Sequence, residues 1–135
     1  MNRPIVLVVE DDGDLREVIA EILEQDRFRV VQAAHGAEAL DILRGSTELP
    51  QVILLDLMMP VMSGMQFRTV QRRDPRLAAI PVVIMSAVTE GELKASALQP
   101  AAFLPKPADL EQMLAVVRRC CAMGAGGLQR LTRPA

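Results

Sequence analysis

Five apolar runs, at residues 5–9, 29–34, 52–55, 81–85 and 101–104, punctuate the chain, and none alternates strictly between apolar and polar side chains. A half-exposed strand alternates, whereas a strand covered on both faces does not. The runs therefore predict a parallel sheet with helices on both faces. Helical periodicity fills the intervals. Leu15, Val18, Ile19, Ile22 and Leu23 recur at i, i+3, i+4, i+7 and i+8; Asp14 with Glu17 offers capping-box chemistry at the start, where Asp12 also reads as a cap. Ala39, Leu40 and Leu43 mark a second helix, entered through His35-Gly36 and closed near Gly45-Ser46. Phe67 and Val70 mark a third after the Ser63-Gly64 turn, and Leu110, Leu114, Val117 and Cys121 stripe the last. The pattern is weakest within roughly residues 89–98, where Gly91 lies inside it and Pro100 follows closely. Repeated strand–helix units imply right-handed crossovers in one α/β domain.

Open α/β sheets place their chemistry at the carboxyl ends of the strands. Here those ends are polar. Residues 5–9 run into Glu10-Asp11-Asp12, residues 52–55 into Asp56, residues 81–85 into Ser86, and Ala102-Phe103-Leu104 into Pro105-Lys106-Pro107. Two carboxylates about 4 Å apart repel by roughly 4 kcal/mol at an effective dielectric near 20. A cluster of Glu10, Asp11 and Asp56 thus needs a proton, a lysine or a metal ion to offset its charge. A few oxygen ligands favour Mg²⁺, and Lys106 supplies a point charge suited to phosphate. Metal, lysine and the Ser86 hydroxyl around Asp56 suit a carboxylate that attacks a phosphoryl group.

Composition narrows the alternatives. The 135 residues suit a single domain, half are hydrophobic, and the formal charge of −2 gives no general attraction to nucleic acid. Three Phe, with no Trp or Tyr, leave little to stack on a base or a flavin. No apolar stretch approaches the roughly 20 residues of a membrane span, and Met1-Asn2-Arg3-Pro4 leaves no room for a signal peptide, so a cytoplasmic location is expected. Cys120 and Cys121 lack metal-ligand spacing and read as small helix residues, one facing the core. His35 reads as a helix cap or a solvated residue. The methionines at 58, 59, 62 and 65 read as packing and adaptable surface, because Mg²⁺ does not choose thioethers. Composition shifts after residue 122, and residues 123–135 read as a flexible tail.

Over residues 4–122 the chain resembles a response-regulator receiver domain of bacterial two-component signalling. Glu10-Asp11 matches the acidic pair after the first strand, Asp56 the phosphoacceptor, Ser86 the switch hydroxyl with the small Ala87 beside it, and Lys106-Pro107 the lysine and its commonly cis-bonded proline. Pro60 and Gly64 match the loop after the acceptor, and Phe103 the aromatic switch position. The resemblance implies a flavodoxin-like (βα)5 fold with five parallel strands in order 2-1-3-4-5. It implies Mg²⁺, or Mn²⁺, held by Asp11, Asp56 and the Met58 backbone carbonyl, with Glu10 acting through a water. It implies phosphoryl transfer to Asp56 from a sensor histidine kinase or a histidine phosphotransfer protein, Lys106 pairing with Asp56 at rest and with phosphate afterwards. Ser86 then moves inward, Phe103 fills the vacated space, and the face of the 89–98 helix, the fifth strand and the last helix changes for an unidentified downstream protein. Catalysis is self-directed only, with no membrane or direct nucleic-acid partner, and a phosphorylation-dependent homodimer is left open.

Some positions depart from the family. The interval of 20 residues from Ser86 to Lys106 is short by a residue or two, and Pro100-Ala101 stands where Gly-Ala is typical. Both changes fall at the signalling face. Phe103 lacks the phenol hydroxyl of the usual Tyr. In the family, the positions held here by Met58 and Val88 flank the path of the hydrolytic water, and the resemblance therefore implies that two apolar groups offer that water no hydrogen bond and leave a persistent phosphoaspartate. Other readings weaken on the same residues. An aspartyl-phosphate phosphatase would carry a second Asp at position 58, and a flavodoxin-like electron carrier would carry a Ser/Thr/Gly-rich phosphate loop after the first strand. A degenerate receiver serving only protein contacts sits poorly with so complete a site.

Overall fold

The structure is a computed structural model that describes residues 3–87, 98–107 and 109–132. Five strands form one parallel sheet: β1 (Ile5–Val9), β2 (Arg29–Ala33), β3 (Val52–Asp56), β4 (Val82–Ala87) and β5 (Ala102–Lys106), in the order β2-β1-β3-β4-β5. The described helices are α1 (Gly13–Gln25), α2 (Gly36–Gly45), α3 (Gly64–Arg73) and α4 (Leu110–Thr132). The weak helical pattern expected over 89–98, and Val88, lie outside the described residues apart from Leu98, which is buried.

The continuous apolar runs are explained by two cores, one on each face of the sheet. Val6, Val8, Leu54, Val83, Met85 and Leu104 pack against Ile19 and Leu23 of α1 and Met113, Val117 and Cys120 of α4. Their strand neighbours Leu7, Val9, Ile53, Leu55 and Ile84 point the other way, onto Leu40 and Leu43 of α2 and Phe67 of α3. Alternation is present in direction but hidden in composition, because both directions are buried. The edge strand β2 differs. Arg29 and Gln32 are exposed there, as a strand with one neighbour permits.

Several local expectations shift by a residue or a turn. Strands β3, β4 and β5 run on through Asp56, Ser86 and Lys106 instead of stopping before them, since the ladder is made by main-chain groups and pairs Asp56 with Met85 and Ala87 with Lys106. The start of α1 is capped by Asp12, not by Asp14 and Glu17: the Asp12 carboxylate accepts from the Asp14 and Leu15 amides at 3.1 and 3.2 Å. A full capping box occurs instead on α3, between Ser63 and Gln66. His35 caps α2, its Nδ1 accepting from the Glu38 amide at 3.2 Å. The buried stripe of α4 is centred on Met113, Val117 and Cys120, with Leu110, Leu114 and Cys121 at its margin. The α4 backbone is helical to Thr132, through the glycines expected to begin a tail.

Candidate functional site

Three strand ends meet. Glu10 follows β1, Asp56 closes β3 and Lys106 closes β5, while Asp11 stands beside Glu10 at the mouth. Glu10, Asp11 and Asp56 each offer a carboxylate oxygen within 4.8 Å of the others, so the cluster can hold a metal ion. Glu10 is fully buried and Asp56 is 2% exposed, whereas Asp11 is exposed. The local fold fixes each group. The Met58 amide donates to Asp56 Oδ1 at 3.2 Å, and the Asp12 amide donates to Glu10 Oε2 at 3.2 Å. Gly64 lets α3 start directly beneath the end of β3. A Cβ there would overlap the Asp56 carbonyl oxygen and stand 2.7 Å from Leu57 Cα.

Lys106 Nζ lies 2.7 Å from Glu10 Oε1 and 3.5 Å from Asp56 Oδ1. The expected lysine–acceptor pair is present, but the shorter bond goes to Glu10. Both Glu10 oxygens are thereby engaged by protein donors. Burial, then the Glu10 charge, push the Asp56 carboxyl up to about 7, against the opposing pull of Lys106 and the Met58 amide. Burial would push the Lys106 ammonium down, but the bond to Glu10 and the charge of Asp56 hold it above its ordinary value. One lysine against three acids leaves net negative charge, which is the condition for binding a cation.

Ser86 is buried one residue beyond Met85, the strand partner of Asp56. Phe103 pairs with Ile84 and packs, half-buried, on the α2–α3 face. Strand alternation puts Ser86 on that same face, so the two expected switch residues share a face diagonally across β4 and β5, with Ser86 opposite Pro105 and Phe103 opposite Ile84. Among the described residues, no hydrogen bond ties the Ser86 hydroxyl to the acidic cluster. The Lys106-Pro107 peptide is cis. Met58 extends its side chain into solvent, 59% exposed.

One contributor escaped the sequence reading. Arg16, in the first turn of α1, donates from Nη1 to the Glu10 carbonyl at 2.7 Å and from Nε to the Gln32 side chain at 3.2 Å. Long side chains lean toward the N-terminus of their helix, so a cation in a first turn reaches back to the strand that precedes it. That signal was available in the sequence.

The family described as the response regulator receiver domain matches residues 6–118. The chain belongs to this family. Among curated relatives, the receiver is 36% identical over 126 residues to the response regulator Rre1 of Synechocystis, covering 90% of this chain and 54% of that protein. It is 38% identical over 122 residues to the DNA-binding transcriptional regulator NtrC of Escherichia coli, covering 88% of this chain but only 25% of that one. A solved response regulator receiver protein from Pseudomonas putida superposes with a TM-score of 0.80 at 30% identity, covering 88% of this chain and 98% of that one. The receiver is thus a signalling module of two-component systems, with the flavodoxin-like sheet order of its structural neighbours. No described helix is long and apolar enough to cross a membrane.

Proposed function

We propose that this receiver accepts a phosphoryl group on Asp56 from the phosphohistidine of a sensor histidine kinase or a phosphotransfer protein. The observation that carries the reading is a carboxylate, 2% exposed, held at a strand end between a lysine and two further acids. An Asp56 carboxylate oxygen attacks phosphorus, the new O–P bond forms, and the P–N bond to the donor imidazole breaks. Its electron pair returns to the ring nitrogen, which takes up a proton. The hard oxygen donors fit Mg²⁺ or Mn²⁺, held by Asp11, Asp56 and the Met58 carbonyl, with Glu10 behind them. That ion, when bound, offsets charge on the phosphoryl oxygens. Lys106 then shifts its contact from the acids to the phosphate, and Arg16 keeps the Glu10 backbone in place.

The added charge draws the Ser86 hydroxyl toward the phosphoryl group, and Phe103 follows across the adjacent strand into the space released. That is a two-state shift, read on the surface around β5 and α4 by a downstream protein. Residues 4–122 form the switching unit, in the cytoplasm, and residues 123–135 are an appendage to it. Trapping tests the assignment. Borohydride reduces an acyl phosphate to an alcohol, so treatment after exposure to a small phosphodonor and Mg²⁺ should convert residue 56 alone to homoserine. Conversion elsewhere, with residue 56 intact, would remove Asp56 from the reading.

In this reading Met58 governs the lifetime of the phosphoryl group. Its exposed thioether offers an incoming water no strong hydrogen bond, whereas an amide would. Met58→Asn is expected to hasten loss of the phosphoryl group several-fold, measured as decay of the phosphorylated mass after the donor is removed. An unchanged decay would show that this side chain does not govern hydrolysis.

A further inference from the structure

Helix α3 buries a face made of Gly64, Phe67, Arg68 and Gln71. Two of these four are polar, at positions where an amphipathic helix places apolar side chains. Arg68 is 8% exposed and Gln71 fully buried, so their polar atoms must find partners inside the protein. The Gln71 amide nitrogen donates to the Leu77 and Ile80 carbonyls at 2.9 and 3.1 Å, fastening α3 to the turn that enters β4. Its amide oxygen accepts from Arg68 Nη1 at 2.7 Å. Arg68 then crosses to a distant segment: Nε donates to the Leu98 carbonyl and Nη2 to the Gln99 carbonyl, both at 3.1 Å. One turn later, Arg72 Nη2 donates to the Gln99 side-chain oxygen at 3.1 Å.

The segment held in this way is the entry to β5. Gln99 has φ 50, in the left-handed region that residues with a Cβ seldom adopt. Two residues on, the Ala101 amide donates to the Val82 carbonyl at 2.8 Å, and β5 with Phe103 and Lys106 begins. A guanidinium is a planar fork with donors in fixed directions, so three acceptors around it make a stiff joint. We infer that Arg68 is a positioning residue for the switch. It fastens Leu98 and Gln99 to α3 in the arrangement in which Lys106 is paired with Glu10 and Asp56, and it opposes the rearrangement of β5 side chains that follows phosphorylation. This rests on the functional reading above. By linkage, loosening a restraint on the resting state tightens binding of whatever favours the other state.

Two variants and two measurements test it. Arg68→Met fills much of the space without donors. Arg68→Lys keeps the charge but replaces the fork by a single point, and it carries the test if the methionine variant fails to fold. Amide hydrogen exchange over residues 98–104 should rise at least tenfold more than in β1 and β3. Beryllofluoride, a phosphoryl mimic, titrated with Mg²⁺ and followed by ¹⁹F NMR, should bind the variants at least threefold more tightly than the unsubstituted receiver. Uniform acceleration of exchange would make Arg68 an ordinary stabilising residue and overturn the inference. Local acceleration with unchanged or weaker beryllofluoride binding would overturn it too. An unsubstituted receiver that binds no beryllofluoride is a separate result, and it would bring down the functional reading first.

Discussion

Asp56→Asn is expected to stabilise the metal-free protein at pH 8, and to do so less and less as the pH is lowered toward 5. The Asp56 carboxyl titrates at about 7 in the folded chain against an ordinary value of 3.8, because it is buried and faces the Glu10 charge. Between those values the folded state holds a proton that the unfolded state has released. Stability therefore falls as pH rises across the window: the contribution is complete below 3.8 and gone once pH has passed through about 7. A shift of this size corresponds to at most about 4 kcal/mol. Asparagine keeps the volume and an acceptor for the Met58 amide but never ionises, so it escapes the loss. Urea unfolding of both proteins in EDTA, from pH 5 to pH 8, measures the difference directly. A gap that stays constant, or an asparagine variant that is the less stable at pH 8, would show that Asp56 carries no such electrostatic strain.

Lys106→Met is expected to act in the opposite direction and to strike both stability and chemistry. The lysine is the one cation within salt-bridge distance of both Glu10 and Asp56 among the described residues. Removing it leaves two buried carboxylates confronting each other, and breaking a buried pair from one side costs about 3–5 kcal/mol. Mg²⁺ should restore much of that stability, since a divalent ion offsets the same charge. It should not restore transfer. Loss of a fixed donor aimed at developing charge lowers rates on the order of 10²-fold. Denaturant unfolding with and without Mg²⁺, beside the rate of phosphorylation by a small donor, separates the two roles. A variant that is destabilised yet phosphorylated at the unsubstituted rate would reduce Lys106 to a structural counter-ion.

The site was legible in the sequence because strand ends are one-dimensional features: an apolar run that stops at an acid or a lysine shows where the side chain will stand. Glu10, Asp56 and Lys106 announced themselves in that way, and Asp12 and His35 as caps. The order of the strands is different. Periodicity says how many strands there are and that both faces are covered, but not which strand lies beside which, so β2 at the edge came from family resemblance. The preference of Lys106 for Glu10 over Asp56 was equally hidden, since it depends on how far sheet twist carries each tip. Arg68 and Gln71 were the least readable. Polar residues on a helix look solvated until their acceptors, carbonyls from the turns before β4 and β5, are brought over them by the fold. The glycines at 124, 126 and 127, each costing a helix roughly 1 kcal/mol relative to alanine, read as the start of a flexible tail, yet the α4 backbone passes through them.

Intact mass is the most direct test of a switch driven from Asp56. After exposure to a small phosphodonor with Mg²⁺, the receiver should gain the mass of one phosphoryl group. Asp56→Asn under the same conditions, and the unsubstituted chain in EDTA, should gain none. A receiver that stays unmodified with donor and Mg²⁺ present, or an Asp56→Asn variant that is modified as readily as its parent, would contradict the account.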